Sequence, residues 1–187
     1  EAGQAACQER VWAVPDAGAE RENLLRVNSL RYSLKRFSLL AMDPFISLLQ
    51  QGLALQKAGR VSEAEQVYRV VVNQAPQHSL ALHLAGTAVG QLGRLREAID
   101  LLRRSLALNP TDPVAWNNLA TAQLDAGSAT DALDSASKAI ALAPAYVAAN
   151  FSWGSAASQL GRYSEAVRAF QKVLTAQPYH TPAWMGL

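Results

Sequence analysis

The chain has 187 residues, of which half are hydrophobic and only 17% are charged, below the roughly 25% of an average soluble domain. Its 17 basic and 15 acidic residues are scattered without a long run of one sign, which argues against the basic stripe of a nucleic-acid-binding protein. No stretch reaches the roughly 18 apolar residues of a membrane span. The single cysteine, Cys7, cannot form an internal disulfide, which favours a reducing compartment, and we expect a cytoplasmic protein.

Residues 1–44 are predicted to form an N-terminal extension that precedes a set of repeats. The part up to Ala19 is rich in alanine and glycine and has no sustained periodicity, so we expect it to be disordered. Residues 20–42 carry apolar side chains at helical spacing from Val27 to Ala41, with basic residues on the other faces, which predicts an amphipathic helix. The sequence leaves three interpretations open: a membrane-surface or targeting helix, a cap on the first repeat, or an extension without structure.

A 34-residue period runs through the rest of the chain. A glycine, an alanine and a proline each recur at this spacing, and chance is a poor explanation for three residue types that share one period. The glycines are Gly59, Gly93, Gly127 and Gly161, the alanines are Ala64, Ala98, Ala132 and Ala166, and the prolines are Pro76, Pro110, Pro144 and Pro178.

Each position of this repeat has a physical role in a pair of helices. The glycine follows an apolar run with helical spacing and tolerates the left-handed conformation that ends a helix. An acidic residue such as Glu63 follows in the first turn of the second helix, where it suits the helix dipole. The alanine lets two helices approach closely, and the proline ends the second helix. We therefore predict an all-α region of about nine helices, with Ala98 and Ala132 buried where helices cross.

With this period and these positions, the sequence resembles the tetratricopeptide repeat (TPR) family, whose pattern is W-x2-L-G-x2-Y followed by A-x3-F and P. Trp116 and Leu119 match the start of the pattern in the third repeat, and Phe170 matches its phenylalanine in the fourth. The resemblance implies a right-handed solenoid of antiparallel helix pairs over residues 45–187. Phased on the prolines, the repeats are 45–78, 79–112, 113–146, 147–180 and a partial fifth at 181–187.

The sequence offers no constellation for catalysis or metal binding. His78 and His180 lie at the same repeat position, just after the proline, where we expect surface loops; they are too far apart along a solenoid to share an ion. His83 has no cysteine, carboxylate or second histidine three or four residues further on. We therefore predict that the chain is not an enzyme and has no catalytic residues, no metal site and no cofactor.

The resemblance also implies that the first helices of successive repeats line a concave groove that binds protein or peptide. Carried over position by position, the candidate groove residues are His83, Thr87, Asn117, Asn118, Thr121, Phe151, Ser152 and Ser155. The lysine and arginine that grip a C-terminal carboxylate in chaperone-binding members of the family are missing. Because none of the candidates is a full charge, binding is expected to depend only weakly on salt. Amides and hydroxyls suit an extended segment held through its backbone.

Two functions remain open from the sequence. The first is a scaffold that binds a protein or an extended peptide and not nucleic acid, and whose open ends allow self-association. The alternative is the N-terminal arm of a larger enzyme, such as a glycosyltransferase resembling O-linked N-acetylglucosamine transferase, or a sulfotransferase. Around Asn118 the third repeat is similar to the repeats of those transferases, in which an asparagine holds the substrate backbone. The equivalent positions here are Gln50, Leu84 and Ser152, so that ladder is interrupted.

Overall fold

The computed structural model describes residues 43–187, and within this range it contains nine α-helices and no β-strand. The helices are α1 (Ile46–Lys57), α2 (Val61–Gln74), α3 (Ser79–Gln91), α4 (Leu95–Leu108), α5 (Pro113–Asp125), α6 (Ala129–Leu142), α7 (Val147–Gln159), α8 (Tyr163–Ala176) and α9 (Thr181–Met185). Two helices thus form per 34-residue repeat. The predicted all-α solenoid of four helix pairs and the start of a fifth is confirmed.

The chain divides into two compact units, residues 1–46 and 47–187. In the first unit only residues 43–46 are described, and there the Asp43 carboxylate accepts a hydrogen bond of 2.9 Å from the Phe45 N–H. The amphipathic helix predicted near residues 20–42, and the disorder expected before it, lie outside the described residues.

The repeated glycines turn the chain between the two helices of each pair. Gly59, Gly93, Gly127 and Gly161 have φ angles of 78°, 78°, 77° and 73°, in the left-handed region that a side chain disfavours. At the first turn the Arg60 N–H donates a hydrogen bond of 2.9 Å to the Leu55 carbonyl, which satisfies a carbonyl at the end of α1. The same bond recurs in the three later turns. The predicted turns are therefore confirmed, together with their cause.

In three of the four repeats the two helices pack through a glycine on the first helix and a large side chain on the second. In the first repeat, a Cβ atom added to Gly52 of α1 would lie 2.3 Å from Cε1 of Tyr68 on α2, so only glycine fits beside this ring. Tyr68 is fully buried, and burial raises its pKa to about 12. The equivalent pairs are Gly86 with Leu102, Ala120 with Ala136, and Gly154 with Phe170. Glycine is therefore present in the repeats where its partner is large, and alanine replaces it where the partner is small. We call this pattern the small–large packing rule.

The alanines of the second helices lie at the crossings that the sequence predicted. Ala98 and Ala132 are both 0% exposed, which confirms their predicted burial. Ala98 belongs to a core cluster with Leu102, Leu106 and Leu119, so the second pair and the first helix of the third share one continuous core.

Short side-chain caps fix where several first helices begin. His78 and His180, expected as surface loop residues, are half-buried, and each accepts a hydrogen bond of 3.2 Å at Nδ1, from the N–H of Ala81 and of Ala183 respectively. Asp112 caps α5 in the same way. Beyond the contacts between chain neighbours, α3 also contacts α5 and α5 contacts α7. The first helices therefore lie side by side.

Candidate functional site

The eight candidate groove residues lie on three adjacent first helices. His83 and Thr87 are on α3, Asn117, Asn118 and Thr121 are on α5, and Phe151, Ser152 and Ser155 are on α7. Three of them, His83, Asn117 and Ser152, are buried, and the other five are half-buried or exposed. We call the surface formed by these three helices the groove.

Hydrogen bonds across the groove join each first helix to the next. The Asn118 side chain donates from Nδ2 to His83 Nε2 at 2.8 Å and to Thr87 Oγ1 at 3.1 Å. One repeat later, Ser152 Oγ donates to Asn117 Oδ1 at 2.9 Å. Both His83 with Asn118 and Asn117 with Ser152 are 35 residues apart, so these bonds are one repeating contact, which we call the 35-residue ties. Both asparagines are thus structural links between repeats as well as groove residues.

The hydroxyl proton of Thr87 determines which groups donate and which accept in the hydrogen bonds between α3 and α5. Thr87 Oγ1 donates to the His83 backbone carbonyl at 2.9 Å, and a carbonyl can only accept, so Thr87 Oγ1 must accept from Asn118. The Asn118 amide nitrogen therefore faces α3, and His83 Nε2 must be an acceptor as well. The proton of the imidazole then sits on Nδ1, which lies 3.3 Å from Asp112 Oδ2. His83 is consequently neutral in this arrangement.

The environment of His83 opposes its protonation. Its side chain is only 10% exposed, and this burial lowers its pKa, while the nearby Asp112 carboxylate acts in the opposite direction with a smaller effect. The Asp112 carboxylate also caps α5 through Oδ1, which accepts from Val114 N–H at 2.9 Å and from Ala115 N–H at 3.1 Å. Because these bonds and the helix dipole satisfy the carboxylate locally, it does not depend on a charged imidazole.

A pocket of about 210 Å³ opens between α3 and α5, beside the 35-residue ties. Its polar lining is Thr87, Gln91, Asn118, Thr121 and Asp125, and the rest of its lining is two glycines, a leucine and an alanine. Three of the polar residues were predicted from the sequence. We call this cavity the groove pocket.

The aromatic candidate lies apart from the groove pocket. The Phe151 ring on α7 packs against Phe170, with 5.7 Å between ring centroids, and against His180, with 5.0 Å. Phe151 therefore belongs to the core between the fourth pair and α9, with part of its surface exposed. Ser155 on the same helix is half-buried. Ser152, the chain neighbour of Phe151, donates the hydrogen bond to Asn117.

A larger pocket of about 400 Å³ lies elsewhere, where α4, α5 and α6 meet. Three of its four charged side chains have partners within the protein: Lys138 Nζ lies 4.4 Å from the centroid of the Trp116 ring, and Arg103 lies 3.7 Å from Asp131. The Trp116 indole N–H donates to the Pro110 carbonyl at 2.9 Å. Since these groups are satisfied within the protein, size alone does not make this the better ligand site.

The sequence analysis missed three residues of this region. Asp112 stands directly before Pro113, a recognisable N-cap signal, but its contact with His83 joins residues 29 positions apart and has no local signature. Gln91 and Asp125 each lie four residues, about one helical turn, after the candidates Thr87 and Thr121, and both line the groove pocket. Asp125 adds a carboxylate to a surface whose predicted positions were all uncharged.

Residues 43–187 show neither a cluster of metal-binding side chains nor a membrane-spanning helix. In that part of the chain no group of three or more His, Cys, Asp or Glu side chains is arranged to hold a metal ion. None of the helices described is long and apolar enough to cross a membrane.

Family models agree with the repeats of the structure. One tetratricopeptide repeat model matches residues 49–113 and again 83–147, and a second matches residues 147–180. The chain belongs to the tetratricopeptide repeat family. The last TPR match coincides with the predicted fourth repeat, which confirms the resemblance seen in the sequence. A search of curated protein sequences gave no significant match.

Several solved structures share the fold of this chain. MamA is 22% identical, with a TM-score of 0.67 over 76% of this chain and 78% of MamA. The O-GlcNAc transferase of Thermobaculum terrenum is 26% identical, with a TM-score of 0.64 over 70% of this chain but only 26% of the transferase. The first TPR of Spaghetti (RPAP3), solved with the HSP90 peptide SRMEEVD, is 28% identical, with a TM-score of 0.57 over 58% of this chain and 86% of that domain.

Proposed function

We propose that this protein is a scaffold that holds an extended segment of another protein in the groove of α3, α5 and α7. The observation that supports this proposal is the groove pocket, in which four of the five polar side chains are already oriented by hydrogen bonds within the protein. Asn118 is held by two bonds of 2.8 and 3.1 Å before any ligand arrives. Because these side chains do not have to be ordered on binding, less free energy is lost when a peptide binds.

The groups that remain available suit a peptide backbone, which carries one N–H and one C=O per residue. Both amide hydrogens of Asn118 are engaged, so its carbonyl oxygen is what it can offer to a peptide N–H. Gln91 accepts at Oε1 from Gln56 Nε2 at 2.9 Å, which leaves the Gln91 amide N–H groups to donate to a peptide carbonyl. A donor and an acceptor therefore stand on opposite sides of one pocket.

The comparison with Spaghetti (RPAP3) supports the class of ligand. That TPR domain was solved with a short peptide bound, and it is 28% identical to this chain. The site residues on this chain are argued from their own contacts, because the two proteins match over only 58% of its length. The absence of catalysis, the cytoplasmic location and self-association through the solenoid ends also stay predictions.

The test is a selection of peptides from a random display library on the whole chain, followed by affinity measurements on the peptides selected. Asn118→Ala is expected to weaken binding by about 2 kcal/mol, or roughly 30-fold, as is typical when an interface anchor is lost. Asn73→Ala is the matched control, because Asn73 is an exposed asparagine on α2 that lines a different pocket. Thermal melts would confirm that both variants fold.

The groove assignment would be wrong if Asn118→Ala and Phe151→Ala both leave the affinity unchanged while a change in the pocket at Trp116 lowers it. Salt dependence gives a second readout. The predicted groove positions are uncharged, whereas Asp125 adds one carboxylate, so the expected loss of affinity with salt is small and should vanish in Asp125→Asn.

The second candidate is an arm that presents substrate within a larger glycosyltransferase. The observation in its favour is the match to the Thermobaculum terrenum O-GlcNAc transferase, of which this chain spans about a quarter. An antibody against the solenoid would report the length of the native protein on a denaturing gel. A native protein no longer than this chain would refute the arm hypothesis, and a much longer one would call for a transferase assay on the whole protein.

A further inference from the structure

The polar groups of the groove pocket have an unusual balance of donors and acceptors. The hydroxyl protons of both threonines are donated to backbone carbonyls, from Thr87 to His83 at 2.9 Å and from Thr121 to Asn117 at 3.1 Å. Both amide hydrogens of Asn118 are donated to α3. These three side chains can therefore only accept hydrogen bonds from a ligand.

The charge of the pocket also favours a ligand group that donates hydrogen bonds. Among the described residues that line it, Asp125 is the only ionisable one, and its carboxylate is exposed to solvent. Asp125 is also the last residue of α5, where the helix dipole adds a partial negative charge. No lysine or arginine within residues 43–187 lines this pocket. Apart from the Gln91 amide, which can donate, a ligand group placed here meets oxygen acceptors and one negative charge.

The rest of the pocket lining is apolar. Gly86, Gly90, Leu102 and Ala122 form this part of the lining. A Cβ atom on Gly90 would meet Ala98 Cβ at an ordinary contact distance of 3.5 Å, so the missing side chain leaves room for one carbon atom at this point of the lining. An apolar floor with acceptors at the rim matches a side chain that has an aliphatic stem and a cationic head.

We propose that the groove pocket binds a lysine or arginine side chain of the peptide that the groove holds. The stem lies over Gly90 and Leu102, and the cation donates to Asp125, Thr121 and the Asn118 carbonyl oxygen. This inference rests on the proposed function, since the side chain must be presented by a peptide lying along α3 and α5. This groove would then prefer a basic segment, whereas SRMEEVD, the peptide solved with Spaghetti (RPAP3), is mainly acidic.

The experiment uses the random peptide display library on the whole chain, in parallel on Asp125→Asn, on Asp125→Glu and on Asp134→Asn. Asp134 lines the pocket at Trp116, so Asp134→Asn is the same chemical change at another site. We expect lysine or arginine to be enriched at one peptide position with the parent, with Asp125→Glu and with Asp134→Asn. The enrichment should disappear with Asp125→Asn.

A selected peptide is then synthesised with its basic residue and with methionine in its place. For the parent, the exchange to methionine is expected to weaken binding about fivefold, the size of a partly exposed ion pair, and for Asp125→Asn it should change little. Peptides that bind and need Asn118 but show no basic preference, or a preference that survives Asp125→Asn, would overturn this inference and leave the proposed function standing. If no peptide is selected, or if all bind Asn118→Ala as well as the parent, the proposed function fails and this inference fails with it.

Discussion

The packing of Gly52 against Tyr68 makes a substitution to alanine unfavourable where it would otherwise be favourable. In an open helix interior, Gly→Ala stabilises by about 1 kcal/mol because the backbone of glycine loses more entropy on folding. At Gly52 the new Cβ would stand 2.3 Å from Cε1 of Tyr68 and 2.8 Å from Cζ. The ring is fully buried, and its hydroxyl donates to Gln56 Oε1 at 3.1 Å, so the ring has no space into which to withdraw.

The two effects can be compared directly. Overpacking of a filled core costs about 1–3 kcal/mol, and a contact of 2.3 Å with an immobile ring belongs at the upper end. After the gain in helix propensity, Gly52→Ala should lower the free energy of unfolding by about 1–2 kcal/mol. Gly90→Ala is the matched control, because its Cβ would meet Ala98 Cβ at an ordinary 3.5 Å. We expect that variant to be stabilised by about 0.5–1 kcal/mol.

Thermal melting followed by far-ultraviolet circular dichroism measures both variants on the whole chain. For a protein of this size, 1 kcal/mol shifts Tm by about 2–4 °C. Gly52→Ala should therefore melt about 2–8 °C below the parent, and Gly90→Ala about 1–4 °C above it. A Gly52→Ala protein that melts at or above the parent would show that the ring is free to move, and the small–large packing rule would then be wrong.

Three further predictions follow from the packing and from the 35-residue ties. Ala132→Leu should lower the free energy of unfolding by about 1–3 kcal/mol, because Ala132 is completely buried at a helix crossing; an unchanged melt would contradict the assigned register. The free energy of unfolding should fall as the pH is lowered from about 7 to about 5. The reason is that His83 in the unfolded chain takes up a proton near its ordinary pKa of 6.5, whereas burial lowers the pKa of His83 in the folded protein. The slope of Tm against pH in this window should be smaller in His83→Gln, and an identical slope would exclude the buried neutral imidazole. Asn117→Ala and Ser152→Ala should show a coupling of about 1 kcal/mol in a double-mutant cycle by urea unfolding, whereas additive effects would mean that their hydrogen bond contributes nothing.

The turns and the helix pairs could be predicted because their causes are local. Gly59 needs only its own backbone to adopt a positive φ, and Pro76 needs only its own ring to stop a helix. A period of 34 residues then repeats these local signals, so each helix boundary is supported several times. The position of Ala132 at a crossing was predictable for the same reason, since its repeat position is small in every copy.

The sequence could predict which face of the three helices carries the candidate residues. It could not predict which of their polar groups are already hydrogen-bonded within the protein. Periodicity identifies the side of α5 that carries Asn117 and Asn118, because both lie on its groove side. It does not reveal that Asn117 is 6% exposed and bonded to Ser152, since that contact depends on how two helices 35 residues apart are spaced. The proton arrangement that makes the Asn118 oxygen available likewise depends on the Thr87 hydroxyl from another helix.

The small–large packing rule and the 35-residue ties differ in what happens when repeats are copied. Gly154 meets Phe170 inside one repeat, so a duplicated repeat would carry this contact between its two helices with it. The ties join two repeats, and their partners therefore depend on which copy comes next. If the third repeat were duplicated in tandem, Asn117 of the first copy would face Asn118 of the second instead of Ser152. Duplication and reordering would then preserve the scaffold while changing the binding surface, so a new specificity could arise in such a gene before any single residue is substituted.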